Sequence, residues 1–404
     1  MANRISFSIM RYTLISIILI MLAFTNSQYS IAGEAILRPL ETEQQSAEQQ
    51  ATAPVSGAMA LRWGPLQGLI TPHEAFISWA TTRPGKCVFQ LNGSAIDEVK
   101  SKGFYHKIQL TGLAAGTKHT GRIIIKNGQK DILSDSFIFT TPPASNQKAL
   151  QHLTGQWNFI AFGDTRTNHK DHQKVMDSLL REQPGTSFVI HTGDLVQSGD
   201  CLPMWDQFFA IEGRLMMNGS FIACRGNHEK QGDPFKELFY SPSGSGNGGK
   251  TWFSYRYNNA QFVVLDPLEP MEPQTRFLEN VLSKAQDDKV KWKFVAWHNP
   301  PYSSGRHGND QKIIDAWVPL LEKYGVNAGF FGHDHMYEHS LKKNTHYFIL
   351  GGGGAPLYKF NRSNPWSLKT SSTLHFARVD VSDERVIITV IKPDGSLLDE
   401  VTIK

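Results

Sequence analysis

The 404-residue sequence predicts an α/β chain in two folded parts: a small all-β sandwich, then a larger layered domain whose β-sheet is flanked by helices. Two observations predict it. Between Ala60 and Pro143, short alternating segments recur at close spacing, broken by Gly, Pro, Asn and Asp. After Thr154 the pattern changes to apolar strands interleaved with stretches of helical spacing. The composition, 40% hydrophobic and 19% charged, is ordinary for a globular chain and leaves enough apolar residues for a sizeable core.

Arg4 and Arg11 precede an uncharged apolar run from Leu14 to Phe24, and small and polar residues follow as far as Gly33. That is the layout of a secretory leader, assigned here to residues 1–32. The run is shorter than the ~20 residues a membrane helix needs, which favours a cleaved leader over an uncleaved anchor. The mature chain is therefore expected outside the cytoplasm, periplasmic or secreted, without a stable membrane span. Cleavage subtracts two Arg from 41 basic residues and nothing from 37 acidic ones, leaving 39 and 37. So even a balance gives a nucleic-acid partner no support. Residues 33–58, mostly Gln, Glu, Ala, Thr and Ser, bury little and read as a flexible linker.

In the front domain, residues 59–143, strands are expected at Ala75 to Ala80, Cys87 to Leu91, Phe104 to Leu110, Gly121 to Lys126 and Phe137 to Thr140. The second domain, residues 154–404, opens on the apolar strand Trp157 to Phe162, after which Val175, Leu179 and Leu180 recur at helical spacing. Further strands are expected at Ser187 to His191, Phe221 to Cys224, Phe262 to Leu265, Lys293 to Trp297 and Ala328 to Phe331, with helices over Met204 to Met217 and Lys312 to Tyr324. From His375 to Lys404 the alternation returns, predicting antiparallel strands that close the domain.

In such a layered domain, ligand groups belong on loops at the carboxyl ends of strands. Five loops there carry Gly163-Asp164-Thr165-Arg166, Gly193-Asp194, Gly226-Asn227-His228-Glu229, His298-Asn299-Pro300-Pro301 and Gly332-His333-Asp334-His335. One Gly-Asp alone is an ordinary solvated turn; five polar loops in order are not. Carboxylate, amide oxygen and imidazole together suit Mn, Fe or Zn better than Ca or Mg, which prefer oxygen cages. The glycine before each ligand is expected to let the backbone turn sharply.

From Trp157 to about Leu357 the pattern resembles the calcineurin-like metallophosphoesterases. The front segment is similar to the fibronectin type III-like domain of purple acid phosphatases, through Trp63-Gly64-Pro65-Leu66-Gln67, Ile77-Ser78-Trp79 and Leu113-Ala114-Ala115-Gly116-Thr117. The resemblance implies a layered β-sandwich metallophosphoesterase domain holding one or two divalent or trivalent transition metal ions. It makes Asp194 a carboxylate bridging two metals, with Asn227, His298 and His333 completing one site and Asp164 and His335 serving the other. His228 would then stabilise phosphoryl charge or protonate the leaving group. The implied reaction is hydrolysis of a phosphate ester, mono- or diester, by in-line attack of a metal-bound hydroxide.

Two positions depart from the family. Purple acid phosphatases carry an iron-ligating Tyr three residues after the second Asp, where this chain has Gln197; many other members carry a His two residues after the first Asp, where it has Arg166. The Asp164–His335 site is thus short of a ligand, with His169 and His172 the nearest candidates to complete it and simple solvation the alternative for both. Arg166 reads either as a surface charge or as a fork clamping the substrate phosphate, the second favoured by its place beside Asp164. In the loop after His298, His307 reads as a proton donor or as a solvated loop residue. A catalytically degenerate binding protein outside the cytoplasm is the alternative to an enzyme, supported by Arg166 and Gln197 alone.

Gly244 to Thr251 fits the phosphate-loop expression, but the aromatic alternation Trp252, Phe253, Tyr255, Tyr257 and the turn at Asn258-Asn259 predict a hairpin after it, where a nucleotide-binding loop needs a helix. Cys201 and Cys224 are the one pair close enough in sequence to suggest a disulfide; three buried thiols are the alternative.

Overall fold

The structure, a computed structural model, describes residues 58–128, 130–144, 156–239 and 251–404. The leader, residues 33–57 of the linker and the Gly-rich run at 244–250 lie outside the described residues.

The front part holds β1 (Leu61–Ile70), β2 (Ala75–Thr81), β3 (Cys87–Leu91), β4 (Ser94–Ile96), β5 (Lys100–Lys102), β6 (Tyr105–Leu110), β7 (Lys118–Ile125), β8 (Ile132–Leu133) and β9 (Phe137–Thr140). They form two antiparallel sheets, β1-β2-β6-β5 and β4-β3-β7-β8 with β9 on β7. Ile77, Trp79 and Ile108 from the first pack with Phe89, Ile123 and Phe139 from the second.

The second part runs β10 (Trp157–Phe162), α1 (His169–Glu182), β11 (Phe188–His191), α2 (Leu202–Asn218), β12 (Ser220–Ala223), α3 (Asp233–Leu238), β13 (Phe253–Tyr257), β14 (Ala260–Val264), α4 (Met271–Asp287), β15 (Trp292–Ala296), α5 (Gln311–Ala316), α6 (Val318–Lys323) and β16 (Ala328–Phe331). It ends with β17 (Tyr337–Lys342), β18 (Thr345–Leu350), β19 (Ser367–Ser371), β20 (Phe376–Val381), β21 (Val386–Ile391) and β22 (Leu397–Ile403). Two sheets result: β12-β11-β10-β20-β21-β22 and β13-β14-β15-β16-β18-β17-β19.

Strand alternation builds the layers, because successive side chains point to opposite faces. In β10, Phe159 and Ala161 enter the core between the sheets while Ile160 and Phe162 face α1 and α2. On the other sheet Phe262, Phe294 and Phe330 point inward, and Val263, Val295 and Phe331 meet α4, α5 and α6. Each such aromatic, fully buried, contributes roughly 2–3 kcal/mol. The helix expected over Lys312 to Tyr324 is two short helices, since Pro319 lacks the N–H that would continue the first. The hairpin after the Gly-rich run is present: β13 and β14 pair antiparallel through Asn258, whose φ is +51°.

The front sheets share a core with the second part. Trp63 stacks on Phe209 of α2 with ring centroids 5.1 Å apart, and Arg62 clamps Asp206 through two bonds of 2.9 and 2.8 Å. Ser78 Oγ donates to the Leu238 carbonyl at 2.8 Å, and Ser220 Oγ to that of Gly68 at 2.6 Å.

Candidate metal centre

Parallel pairing of β10 with β11 and β11 with β12, and of β15 with β16, aligns the carboxyl ends of five strands at one edge of the layered pair. Asp164, Asp194, Asn227, His298, His333 and His335 all follow those strand ends. The turn falls on the ligand candidates themselves: Asp164, Asp194 and His333 have φ of +59°, +56° and +71°. The expected role of the glycines is thereby corrected in part. Gly193 does turn, at φ +105°, but Gly332 leaves room, since a Cβ there would lie 2.4 Å from Asp164 Oδ2.

Asp194 sits at the middle, buried. Its Oδ1 lies 3.3 Å from His298 Nε2 and accepts the His228 backbone N–H at 3.1 Å; its Oδ2 accepts from Arg166 Nε at 3.2 Å. His298 Nδ1 lies 2.9 Å from the Thr192 carbonyl, which can only accept, so Nδ1 carries the proton. Nε2 then faces Asp194 Oδ1 and, at 3.2 Å, Asn227 Oδ1. Two oxygen acceptors and a ring nitrogen converge on one point, an arrangement satisfied by a second ring proton or by a cation. On protein charges alone, burial disfavours the imidazolium, but the Asp194 carboxylate outweighs it and holds His298 up at about 10. Burial likewise opposes ionisation of Asp194, and His298 reverses this, holding it well below the carboxylate range. The His333 ring lies beside this pair, its centroid 5.1 Å from that of His298. Burial lowers His333 to about 3, so its ring is neutral as a ligand must be.

On the other side Asp164, Asp194 and His335 bring one candidate ligand atom each within 4.8 Å of one another. Asp164 accepts the His333 backbone N–H at 3.0 Å, and burial, with the Asp194 charge beside it, pushes its carboxyl up to about 8. His335 Nδ1 donates to the Pro356 carbonyl at 2.7 Å, leaving Nε2 as an acceptor, and its ring stacks on Tyr358 at 4.0 Å. Burial lowers His335 to about 4. That acceptor meets Arg166 Nη2 at 3.3 Å, and Arg166 Nη1 donates to Gln197 Oε1. Arg166 is not a surface charge: its side chain is 12% exposed and aimed at the ligand cluster. Asp194, Asn227 and His298 thus offer three donor atoms suited to a transition ion on one side, and the convergent Asp164–Asp194–His335 group on the other is already met by the protein's own cation, Arg166.

His228 Nδ1 donates to the Gln197 carbonyl at 2.8 Å, and its Nε2 stands 3.9 Å from Asp194 Oδ2. His307 stacks on His333 with centroids 3.9 Å apart, and Asp334 holds its Nδ1 at 3.0 Å. A cleft of about 400 Å³ opens beside them, lined by Asn299, Lys312, His307 and His333.

Two contributors went unassigned in the sequence. Glu229 is buried, and its carboxylate accepts the N–H groups of Asp194, Leu195, Val196 and Gly226 at 2.8–3.2 Å. Asp334 does the same for His307, with Ser303 Oγ 2.5 Å from it. Their signal was adjacency to ligand motifs, within Gly226-Asn227-His228-Glu229 and His333-Asp334-His335. His172 does not complete the second site: its Nε2 bonds Glu212 Oε1 at 2.8 Å in the buried layer beneath α2, and burial lowers it to about 3. His169 begins α1, and no bond joins it to the cluster among the described residues. Cys87, Cys201 and Cys224 are all free thiols, so the Cys201–Cys224 pairing is not formed.

Residues 158–337 match the family model of the calcineurin-like phosphoesterases. The chain is 24% identical over 364 residues to "Probable inactive purple acid phosphatase 27" of Arabidopsis thaliana, covering 75% of this chain and 58% of that protein. It is 23% identical to a nucleotide pyrophosphatase/phosphodiesterase of Hordeum vulgare, covering 66% of this chain and 86% of that one. It spans less than two thirds of the length of the Arabidopsis relative. Purple acid phosphatase from yellow lupin (Lupinus luteus) seeds shares the fold, with a TM-score of 0.72 at 18% identity over 84% of this chain and 74% of the lupin chain. Residues 158–337 form a calcineurin-like phosphoesterase domain, in a chain similar to purple acid phosphatases.

Proposed function

We propose that the chain hydrolyses phosphate esters with the help of one or two transition metal ions of the Fe, Mn or Zn class. One observation carries this reading: with Nδ1 committed to the Thr192 carbonyl, His298 turns Nε2 on Asp194 Oδ1 and Asn227 Oδ1 at 3.3 and 3.2 Å, a convergence in which an ion would replace the second ring proton. Asp194, Asn227 and His298, with the family resemblance adding His333 and with Asp164 and His335 on the far side of Asp194, would hold an ion that would act as a Lewis acid, neutralising phosphate charge and acidifying water.

The protein's own groups do the rest. Water attacks phosphorus in line as the bond to the ester oxygen breaks; the water gives up one proton and the departing oxygen takes one, so the two balance. His228, with Nδ1–H fixed on Gln197, presents Nε2, which gives its proton to that oxygen or to a phosphoryl oxygen only as the imidazolium, a form that burial of the ring disfavours. His307, oriented by Asp334, is the second donor, on the cleft side. Arg166 spends three of its five N–H groups on Asp194, Gln197 and His335, and the other two are available to a phosphoryl oxygen.

The same reading takes residues 59–143 as a fibronectin type III-like domain, residues 154–404 as the metallophosphoesterase domain, 1–32 as a signal peptide and 33–58 as a linker, placing the enzyme outside the cytoplasm. No helix among the described residues is long and apolar enough to cross a membrane. A second reading, a degenerate member that binds without turnover, is favoured by the Arg166 contacts inside the cluster and by the word "inactive" in the Arabidopsis relative's name.

The test is hydrolysis of an aryl phosphomonoester and the matching diester with Mn, Zn or Fe. Metal-dependent turnover of either is expected, and the ratio of the two rates assigns the substrate class. Metal bound without turnover of either ester would select the second reading.

A further inference from the structure

Asp194 offers one oxygen to each side of the centre. Oδ1 faces His298 and, through it, Asn227; Oδ2 faces Arg166 Nε at 3.2 Å. In a two-ion centre the second oxygen would face a second ion. Here the guanidinium stands in that direction and bonds Asp194 and His335, two of the three side chains such an ion would meet, Asp164 being the third. Its Nη2 meets the lone pair of His335 Nε2 at 3.3 Å, and Nη1 meets Gln197 Oε1, at the position where purple acid phosphatases carry an iron ligand. The His335 tautomer leaves no ambiguity about direction, because Nδ1 is already committed to the Pro356 carbonyl at 2.7 Å.

The guanidinium is held from both ends. The Arg166 backbone N–H donates to the Asp194 carbonyl at 3.3 Å, and three side-chain bonds fix the planar fork. The guanidinium is a cation with its donors in one plane, so it brings a fixed fork of positive charge into the cluster. It compensates the buried carboxylates without the ligand that both departures remove.

We propose that the Arg166 guanidinium takes the place of one of two metal ions, so that the centre is mononuclear, with one ion held by Asp194, Asn227, His298 and His333. This rests on the metal-centre reading above. It turns the two departures into one coordinated change: Arg166 supplies the charge, and Gln197 supplies a neutral acceptor suited to an N–H where a phenolate would suit iron.

The experiment is metal content per chain by mass spectrometry after loading the full-length protein with Mn or Zn and desalting, with anomalous diffraction to locate the ions. One ion per chain is expected, between Asp194, Asn227, His298 and His333. The variant Arg166→His, which restores the superfamily's second-position histidine, is expected to hold two. Two tightly held ions in the unaltered protein, a single ion between Asp164 and His335, or a folded Arg166→His protein that still holds one would each overturn the inference and leave metal binding intact. No ion under any loading would overturn the metal-centre reading beneath it.

Discussion

Glu229 anchors the Asp194 loop from behind. Four backbone N–H groups, including those of Asp194 and Gly226, end on its carboxylate, so Glu229→Ala strips the partners of a buried turn that already carries a positive φ at Asp194. The expected cost is about 3 kcal/mol or more, read by denaturant unfolding, with metal affinity falling about 10–100-fold as the Asp194 oxygens lose their aim. Unchanged stability and affinity would show that the loop holds itself. His228 acts at the front of the same loop. His228→Ala is expected to lower kcat by about 10²–10⁴-fold while leaving metal content unchanged, since its Nε2 is 3.9 Å from Asp194 Oδ2 and outside the donor set. A loss of metal equal to the loss of rate would make it a ligand instead.

At the scale of elements, the strands that carry the site were legible because they are short, apolar and followed by polar loops. Trp157–Phe162 and Ala328–Phe331 were delimited from the sequence to the residue, and the site strands between them to within a residue or two. Less legible was β1, for which no strand was expected because Gly64, Pro65 and Gly68 interrupt any alternation; Trp63 and Leu66 pack into the core as part of this ten-residue strand. Also unread was β17, whose Glu338 and His339 look like solvent-facing residues but are buried. Ser304 and Asn364 satisfy the Glu338 carboxylate with bonds of 2.7–3.0 Å. The candidate ligands were legible from their order along the chain. The direction of Arg166 was not, because spacing puts it beside Asp164 without saying which way its side chain turns. The seam between β1 and α2 gives a prediction of its own: Trp63→Ala removes the ring stacked on Phe209 and the indole N–H bonded to Asp206 at 2.7 Å. A loss of about 3–5 kcal/mol is expected by denaturant unfolding, and a loss under 1 kcal/mol would mean that the seam contributes little.

For the molecule as a whole, the shared core makes the front sheets and the layered domain one cooperative body. Trp63, Leu66, Ala80 and Tyr105 pack in the same cluster as Phe208, Phe209 and Phe239. Calorimetry is therefore expected to show a single unfolding transition for these two parts, where two resolved transitions would show independently stable parts. Metal shifts that transition, because an ion bound to the folded state alone stabilises it by about 2.7 kcal/mol at a hundredfold excess over Kd. The transition should rise by several degrees with Mn or Zn, and by nothing in Asp194→Ala.

The most direct measurement is the rate of hydrolysis of an aryl phosphomonoester and its diester by metal-loaded protein, beside the same protein stripped by a chelator and beside Asp194→Ala. Turnover that requires the metal and disappears in Asp194→Ala is the expected result. Turnover that survives the chelator, or that survives loss of Asp194, would contradict a metal centre built on that carboxylate.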